Sequence, residues 1–232
     1  VSEALRSRAA EAWAFRTRVE RDAARRFARL AGQVSAFDPD SPLPPLLRRA
    51  ADDEIRHAAL CAELSASYGK PVADAGEDVP IAPASLGPRE AVLYELVAAC
   101  CITETESVAT LTTLLADAAE PRVESVLRDI ARDEVAHSRL GWAHLAREAG
   151  LYDVSFLSPL IPAMLSGTVD EGLFAAADAE LESPELLRHG VLPHSQKRAI
   201  FAGTLEAVVF PGLEKFGIDA GPARAWLSTR QG

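Results

Sequence analysis

The chain has 232 residues, a formal net charge of −10, 48% hydrophobic residues and only 6% aromatic ones. That length allows one large domain or two small ones, with enough apolar material for a substantial core. No Lys/Arg-rich block stands apart from acidic residues, which excludes nucleic acid as a partner because phosphate binding needs a basic face. No apolar run reaches the length a membrane span needs. The opening VSEALRSRAAEAW is charged where a signal peptide is apolar. A start at Val1 rather than Met is what removal of a leader or longer N-terminus leaves. Cys61, Cys100 and Cys101 form no C-x-x-C pair and no even set. They read as small buried hydrophobes in a reducing cytoplasm.

Ala and Leu dominate the apolar residues, favouring an all-α chain. The first helix is expected from about Ser2 to Gln33, with Trp13, Thr17, Glu20, Ala24, Phe27 and Ala31 on one face. FDPDSPLPP ends it, and Ser41 is placed to cap a second helix from about Pro44 to Tyr68. Leu47, Ala50, Glu54, His57, Cys61 and Leu64 share a face of that helix. A Pro-, Gly-, Ala- and Asp-rich connection over 69–87 is long enough to cross a bundle. A third helix is expected from Pro88 to about Ala118, with the stripe Val97, Cys101, Glu104, Val108, Leu111 and Leu115. A fourth opens at Pro121 and ends at Gly150, with Leu127, Ile130, Glu134, His137, Gly141 and Leu145 inward. The remaining 82 residues predict helices over 155–166, 168–182 and 194–216, then a short one after Pro222. Pro211 should kink or end the third of these. The chain thus reads as a four-helix bundle over 1–150 with a helical extension over 151–232 packed on it, one domain overall.

The pattern that carries chemistry is an internal repeat. Glu20 lies 34 residues before Glu54, which opens an E-x-x-H ending at His57; Glu104 lies 30 residues before Glu134, which opens a second ending at His137. Residues three apart share a helix face about 5–6 Å apart, so a Glu and a His can grip one side of a metal pair. Two such pairs plus one Glu from each of two further helices give four carboxylates and two imidazoles, the donor set of a dimetal carboxylate bundle. Four buried carboxylates would be very costly without cations, and two divalent ions cancel their charge. Mixed oxygen and nitrogen donors suit iron or manganese.

With 5 histidines in 232 residues, one accidental E-x-x-H is unremarkable. Two, each preceded by Asp and each with an in-phase upstream Glu, are not. Glu104 is preferred to Glu106, and Glu20 to Glu11, by their phase with the apolar stripes. Asp53 and Asp133, rotated about 100° from the ligating Glu, are candidates to hold the outer nitrogen of a histidine on an adjacent helix; the alternative is a plain surface Asp. His144, His189 and His194 lack a carboxylate at ligand spacing and read as surface or ordinary structural residues. Trp13, Tyr94 and Trp142 read first as core, with electron relay or pocket lining as the alternative.

At these residues the chain resembles the ferritin-like di-iron carboxylate superfamily, over about residues 5–149. The twofold Glu…D-E-x-x-H pattern is similar to that of bacterioferritins, acyl-carrier-protein desaturases, arylamine N-oxygenases and aldehyde-deformylating oxygenases. The resemblance implies an all-α, ferritin-like fold with two Fe ions, or a Mn/Fe pair. It makes Glu20 and Glu104 terminal ligands and Glu54 and Glu134 bridging ones, with His57 and His137 on one iron each. It further implies O₂ activation at the reduced pair. Ile55 stands where haem bacterioferritins carry Met, so no haem is expected. Ile130 stands where the arylamine N-oxygenases add a histidine. The C-x-x-C iron domain usual in rubrerythrins is absent, which calls for an external electron donor.

Three functions fit this reading. The first is a non-haem di-iron oxidase or oxygenase acting with O₂ on a small, mostly apolar organic substrate, the 82-residue extension shaping its pocket. The second is an iron-handling ferroxidase, store or peroxide scavenger. The third is a structural or binding protein without redox activity, with or without another metal. The assembly is left open, with a homodimer allowed.

Overall fold

The structure is a computed structural model describing residues 2–73, 76, 78–118, 120–168, 171–175, 179 and 181–231. Among these residues the regular structure is helical, with no strand. No described helix is long and apolar enough to cross a membrane. The chain divides into two compact units. The first comprises Val1–Pro80, Leu111–Asp133 and Ala177–Pro193; the second comprises Ile81–Thr110, Glu134–Ala176 and His194–Gly232.

The first unit is built on α1 (Glu3–Phe37) and α2 (Leu43–Ser67), which pack extensively on each other. The Ser2 hydroxyl accepts from the Leu5 amide at 3.2 Å and satisfies one of the free donors that open α1. Helix α1 runs to Phe37, beyond the expected Gln33, until Asp38 leaves the helical region before Pro39. The Ser41 hydroxyl accepts from the Leu43 amide, a capping contact one residue ahead of Pro42. Both expected stripes are buried in full, from Trp13 to Ala31 on α1 and from Leu47 to Leu64 on α2. The connection after α2 is tied to α1: Arg21 donates to the Ala73 carbonyl at 2.8 Å and Arg29 to Asp78 at 2.6 Å. The unit also holds the end of α4 (Glu104–Asp117), the start of α5 (Pro121–Ala149) and a 3₁₀ turn at Pro184–His189.

The second unit corrects the expected third helix. It begins as α3 (Pro88–Leu96), widens into a π segment at Val97–Thr103 and resumes as α4 at Glu104. The hydroxyls of Thr103 and Thr105 turn back to the carbonyls of Ala98 and Cys100, five residues earlier. Every residue from Val97 to Ile102 is buried, so no hydrophobic periodicity marked this turn. Near the end of α4 the buried residue is Leu114 rather than Leu115.

Beyond α5 come a 3₁₀ turn (Ser155–Leu160), α6 (Ile161–Thr168), α7 (His194–Thr204), a second π segment (Leu205–Val209), α8 (Phe210–Glu214) and α9 (Gly221–Gln231). The expected helix over 168–182 is not formed across its described part, which holds only a 3₁₀ turn at Glu171–Phe174; residues 169, 170, 176–178 and 180 lie outside the described residues. Pro211 does not end the third helix. The π turn before it widens the backbone, so the carbonyl of the preceding turn clears the proline ring and the helix continues. Residues from the C-terminal part share one core with the third helix: Ile161, Phe201, Leu205 and Phe210 bury with Tyr94, Val97 and Ile102.

Candidate metal centre

In the first unit, Glu20 on α1 meets Glu54 and His57 on α2. One donor atom from each lies within 4.8 Å of the others, and all three residues are buried. His57 Nδ1 is 3.0 Å from Glu54 Oε2 and 3.9 Å from Glu20 Oε2. Its other nitrogen, Nε2, is 3.2 Å from Asp133 Oδ2. Of Asp53 and Asp133, the two candidates to hold the outer nitrogen of a histidine on an adjacent helix, Asp133 is the one that contacts His57.

The charge state of Asp133 fixes the tautomer. Partial burial raises its pKa, but hydrogen bonds from Arg132 and His57 and the charges of Arg132 and Arg56 outweigh this and hold it at about 2. An ionised carboxylate only accepts, so Nε2 carries the proton and donates. In the neutral ring the Nδ1 lone pair then faces Glu54 and Glu20. A lone pair turned toward two buried carboxylates is repulsive unless a cation sits among them. Either a metal ion or a ring proton meets that demand, and the oxygen–nitrogen donor set suits a hard or borderline metal.

The arginines holding Asp133 escaped the sequence reading. Arg56 donates to Asp53 at 2.9 Å and also to Asp133, and Arg132 donates to Asp133 at 3.1 Å. Both lie inside or beside the D-E-x-x-H motifs, so a basic residue at the variable positions was the available signal. Asp53 is engaged by Arg56 within this unit.

In the second unit, Glu134 and His137 on α5 repeat the geometry of the first pair. His137 Nδ1 is 3.0 Å from Glu134 Oε2, and both residues are buried. Glu104 is also buried and is the first residue of α4 after the π turn. Glu106, passed over at sequence level, is half-buried and accepts from the Thr110 hydroxyl at 2.8 Å. Gly141, one turn past His137, is required by a close approach: a Cβ there would sit 2.3 Å from Cys100 Cβ and 3.2 Å from the backbone of the π segment. Glu148 is a further buried carboxylate that the sequence reading missed; Arg89 neutralises it at 3.0 Å.

The second unit has an open cavity of about 340 Å³, lined by Thr105, Val108, Val135, Ser138, Arg139, Thr204 and Val208 among others. Three of these directly follow Glu104, Glu134 and His137 in sequence. The wall is mainly apolar, with one hydroxyl network: Thr105 and Ser138 are 2.9 Å apart, and Trp142 Nε1 donates to Thr105 at 3.2 Å. Trp142 is thus tied to the cavity wall. Trp13 is fully buried and donates to the His189 carbonyl, and Tyr94 belongs to the core. His194 is 2.8 Å from the Gly172 carbonyl, a structural contact.

No protein-family model matches the chain, and no curated protein matches it. Among solved structures, "Protein 19 with aldehyde deformylating oxidase activity from Synechococcus" matches over 98% of this chain and 98% of that chain, with a TM-score of 0.65 and 20% identity. At that identity the likeness is one of fold. The fold is all-α and ferritin-like, and the buried carboxylate–histidine cluster offers donor atoms for a metal ion.

Proposed function

We propose that this protein is a non-haem di-iron oxidase or oxygenase that uses O₂ to oxidise a small, mostly apolar organic substrate. In this reading Glu20, Glu54, His57, Glu104, Glu134 and His137 together hold two iron ions. The observation that carries it is the Glu–His pair occurring twice with the same 3.0 Å contact through Nδ1, both pairs buried. Further support comes from α5 itself: Asp133, which orients His57, is followed directly on one unbroken helix by Glu134.

The bound iron pair would supply O₂ binding and redox capacity; the protein sets access, orientation and charge. The four glutamates would balance the charge of two divalent ions. Asp133 keeps the His57 Nδ1 lone pair available, and Arg56 and Arg132 keep Asp133 ionised. Val108, Val135 and Val208 would exclude water from the substrate's apolar portion, while the Thr105 and Ser138 hydroxyls orient a polar end. That mainly apolar cavity favours an organic substrate over iron storage, which needs a polar ion path. Electrons would come from an external donor. The burial of Cys61, Cys100 and Cys101 as free thiols supports a reducing compartment, the cytoplasm.

The test is metal analysis and O₂ uptake on iron-loaded protein, with Val208→Trp to fill the cavity mouth. Two irons per chain and O₂ uptake stimulated by an apolar substrate are expected. Val208→Trp should keep its iron and lose about tenfold in substrate oxidation. A hollow multi-subunit shell that mineralises iron, with no substrate effect, would establish the iron-handling function instead.

A further inference from the structure

Away from the metal ligands, the first unit contains a tyrosine–histidine pair that the proposed reaction does not use. Tyr68 ends α2, and His189 ends the 3₁₀ turn Pro184–His189, where Gly190 closes the turn at φ 71°. The Tyr68 hydroxyl is 2.9 Å from His189 Nδ1, with the rings edge to face at 5.6 Å between centroids. The His189 carbonyl accepts from Trp13 Nε1 at 2.9 Å. Trp13 has no exposed surface and lies two helical turns before Glu20 on α1, about 10 Å along the axis. Thr17 stands between them, its hydroxyl donating to the Trp13 carbonyl at 2.8 Å. Tyr68 and His189 also line a separate open cavity of about 240 Å³ with Leu64, Ser67, Arg122 and Val123.

The protonation states suit one direction of proton movement. Burial lowers the His189 pKa, which leaves the ring a free base at neutral pH. Burial, with the Glu120 charge, raises that of Tyr68, which keeps the phenol protonated. Tyr68 therefore donates and Nδ1 accepts. Oxidising a phenol to its cation alone is unfavourable; a base already hydrogen-bonded to the phenol allows the proton to leave with the electron.

We propose that Tyr68 and His189 form a proton-coupled redox site that discharges oxidising equivalents from the metal centre through Trp13. The inference rests on the proposed O₂-oxidised iron pair beside Glu20 as the oxidant. Trp13 loses one electron to that oxidant. Tyr68 then returns one electron to Trp13 while its O–H bond breaks and the proton passes to His189 Nδ1. The product is a neutral tyrosyl radical beside an imidazolium. A small thiolate reaching Tyr68 through the cavity supplies one electron and leaves as a thiyl radical, and the proton on His189 Nδ1 returns to the phenolate oxygen. Such a route protects the buried core when oxidised metal finds no substrate.

Two experiments test this, and they separate its failure from failure of the iron reading. In metal-free protein, flash-generated tris(bipyridine)ruthenium(III) should oxidise a tyrosine, read by transient absorption and freeze-quench paramagnetic resonance. Tyr68→Phe should remove at least half of the tyrosyl signal. His189→Gln should slow its formation about tenfold. An unchanged signal in Tyr68→Phe, or an unchanged rate in His189→Gln, overturns the pair. In iron-loaded protein given O₂ without substrate, a tyrosyl signal should appear and be lost in Tyr68→Phe, with iron oxidation proceeding at the same rate. Iron oxidation with no Tyr68-dependent radical overturns the discharge route. Failure to bind iron removes the oxidant and overturns the route as well, while the ruthenium experiment still judges the pair.

Discussion

Asp133 accepts the Nε2 proton of His57 at 3.2 Å, and that single contact determines which nitrogen His57 turns toward Glu20 and Glu54. Replacing Asp133 with Asn keeps the size but offers an amide that donates as readily as it accepts, so the ring loses its fixed tautomer. Metal affinity should fall about 10–100-fold, the usual range for a partner behind a ligating histidine. Competitive titration against a chelating dye measures this, and equal affinity in wild type and variant would show that the contact does not orient the ring.

The choice between the two neighbouring glutamates of α4 is open to direct test. Glu104→Ala should lose iron, whereas Glu106→Ala should keep it, because Glu106 is occupied by the Thr110 hydroxyl. The stability cost of Glu106→Ala should be about 1 kcal/mol or less, the net worth of one hydrogen bond. Iron per chain by elemental analysis gives the answer, and a large loss in Glu106→Ala would exchange the two assignments.

Removing metal should weaken the fold as well as the activity. Chelation restores the mutual repulsion of the buried Glu20 and Glu54 carboxylates. With free iron 100-fold above its dissociation constant, bound metal contributes about 2.7 kcal/mol per site. The melting temperature should therefore fall on chelation and recover when iron is returned. Glu54→Gln, which already lacks one charge, should respond less.

Gly141→Ala tests the contact between α5 and the π segment. The added methyl would overlap Cys100 Cβ and press on the backbone at Cys100 and Cys101. A destabilisation of about 1–3 kcal/mol is expected, read by chemical denaturation. Because the π segment leads directly into Glu104, iron content should drop in the same variant.

His189 gives the fold an acid-sensitive limb. Its pKa is lowered by burial, so below about pH 6.5 the unfolded chain binds a proton that the folded one resists. Stability should fall as pH drops from 6.5 toward the depressed folded value, by no more than about 1.4 kcal/mol per pH unit. His189→Gln should flatten that limb. The comparison is the melting temperature of each protein at pH 7.5 and 5.5; equal losses in both would assign the acid sensitivity to other groups.

Local spacing made much of this protein readable. A Glu and a His three residues apart on a helix must share a face, so both Glu–His pairs and the stripes of α1 and α2 followed from sequence alone. The openings of α1 near Ser2 and of α5 at Pro121 were legible, because helix starts depend on residues within one turn, whereas α1 ran to Phe37 rather than Gln33. Tertiary structure decided what no local rule reaches. The π segment at Val97–Thr103 lies in a buried run, where periodicity is silent and close packing, as at Gly141, sets the backbone. The clamp of Arg56 and Arg132 on Asp133, and through it the orientation of His57, joins helices 76 residues apart. The pairing of Tyr68 with His189 spans 121 residues. Such contacts depend on which surfaces meet once the apolar faces are buried, and a one-dimensional pattern carries no record of that meeting.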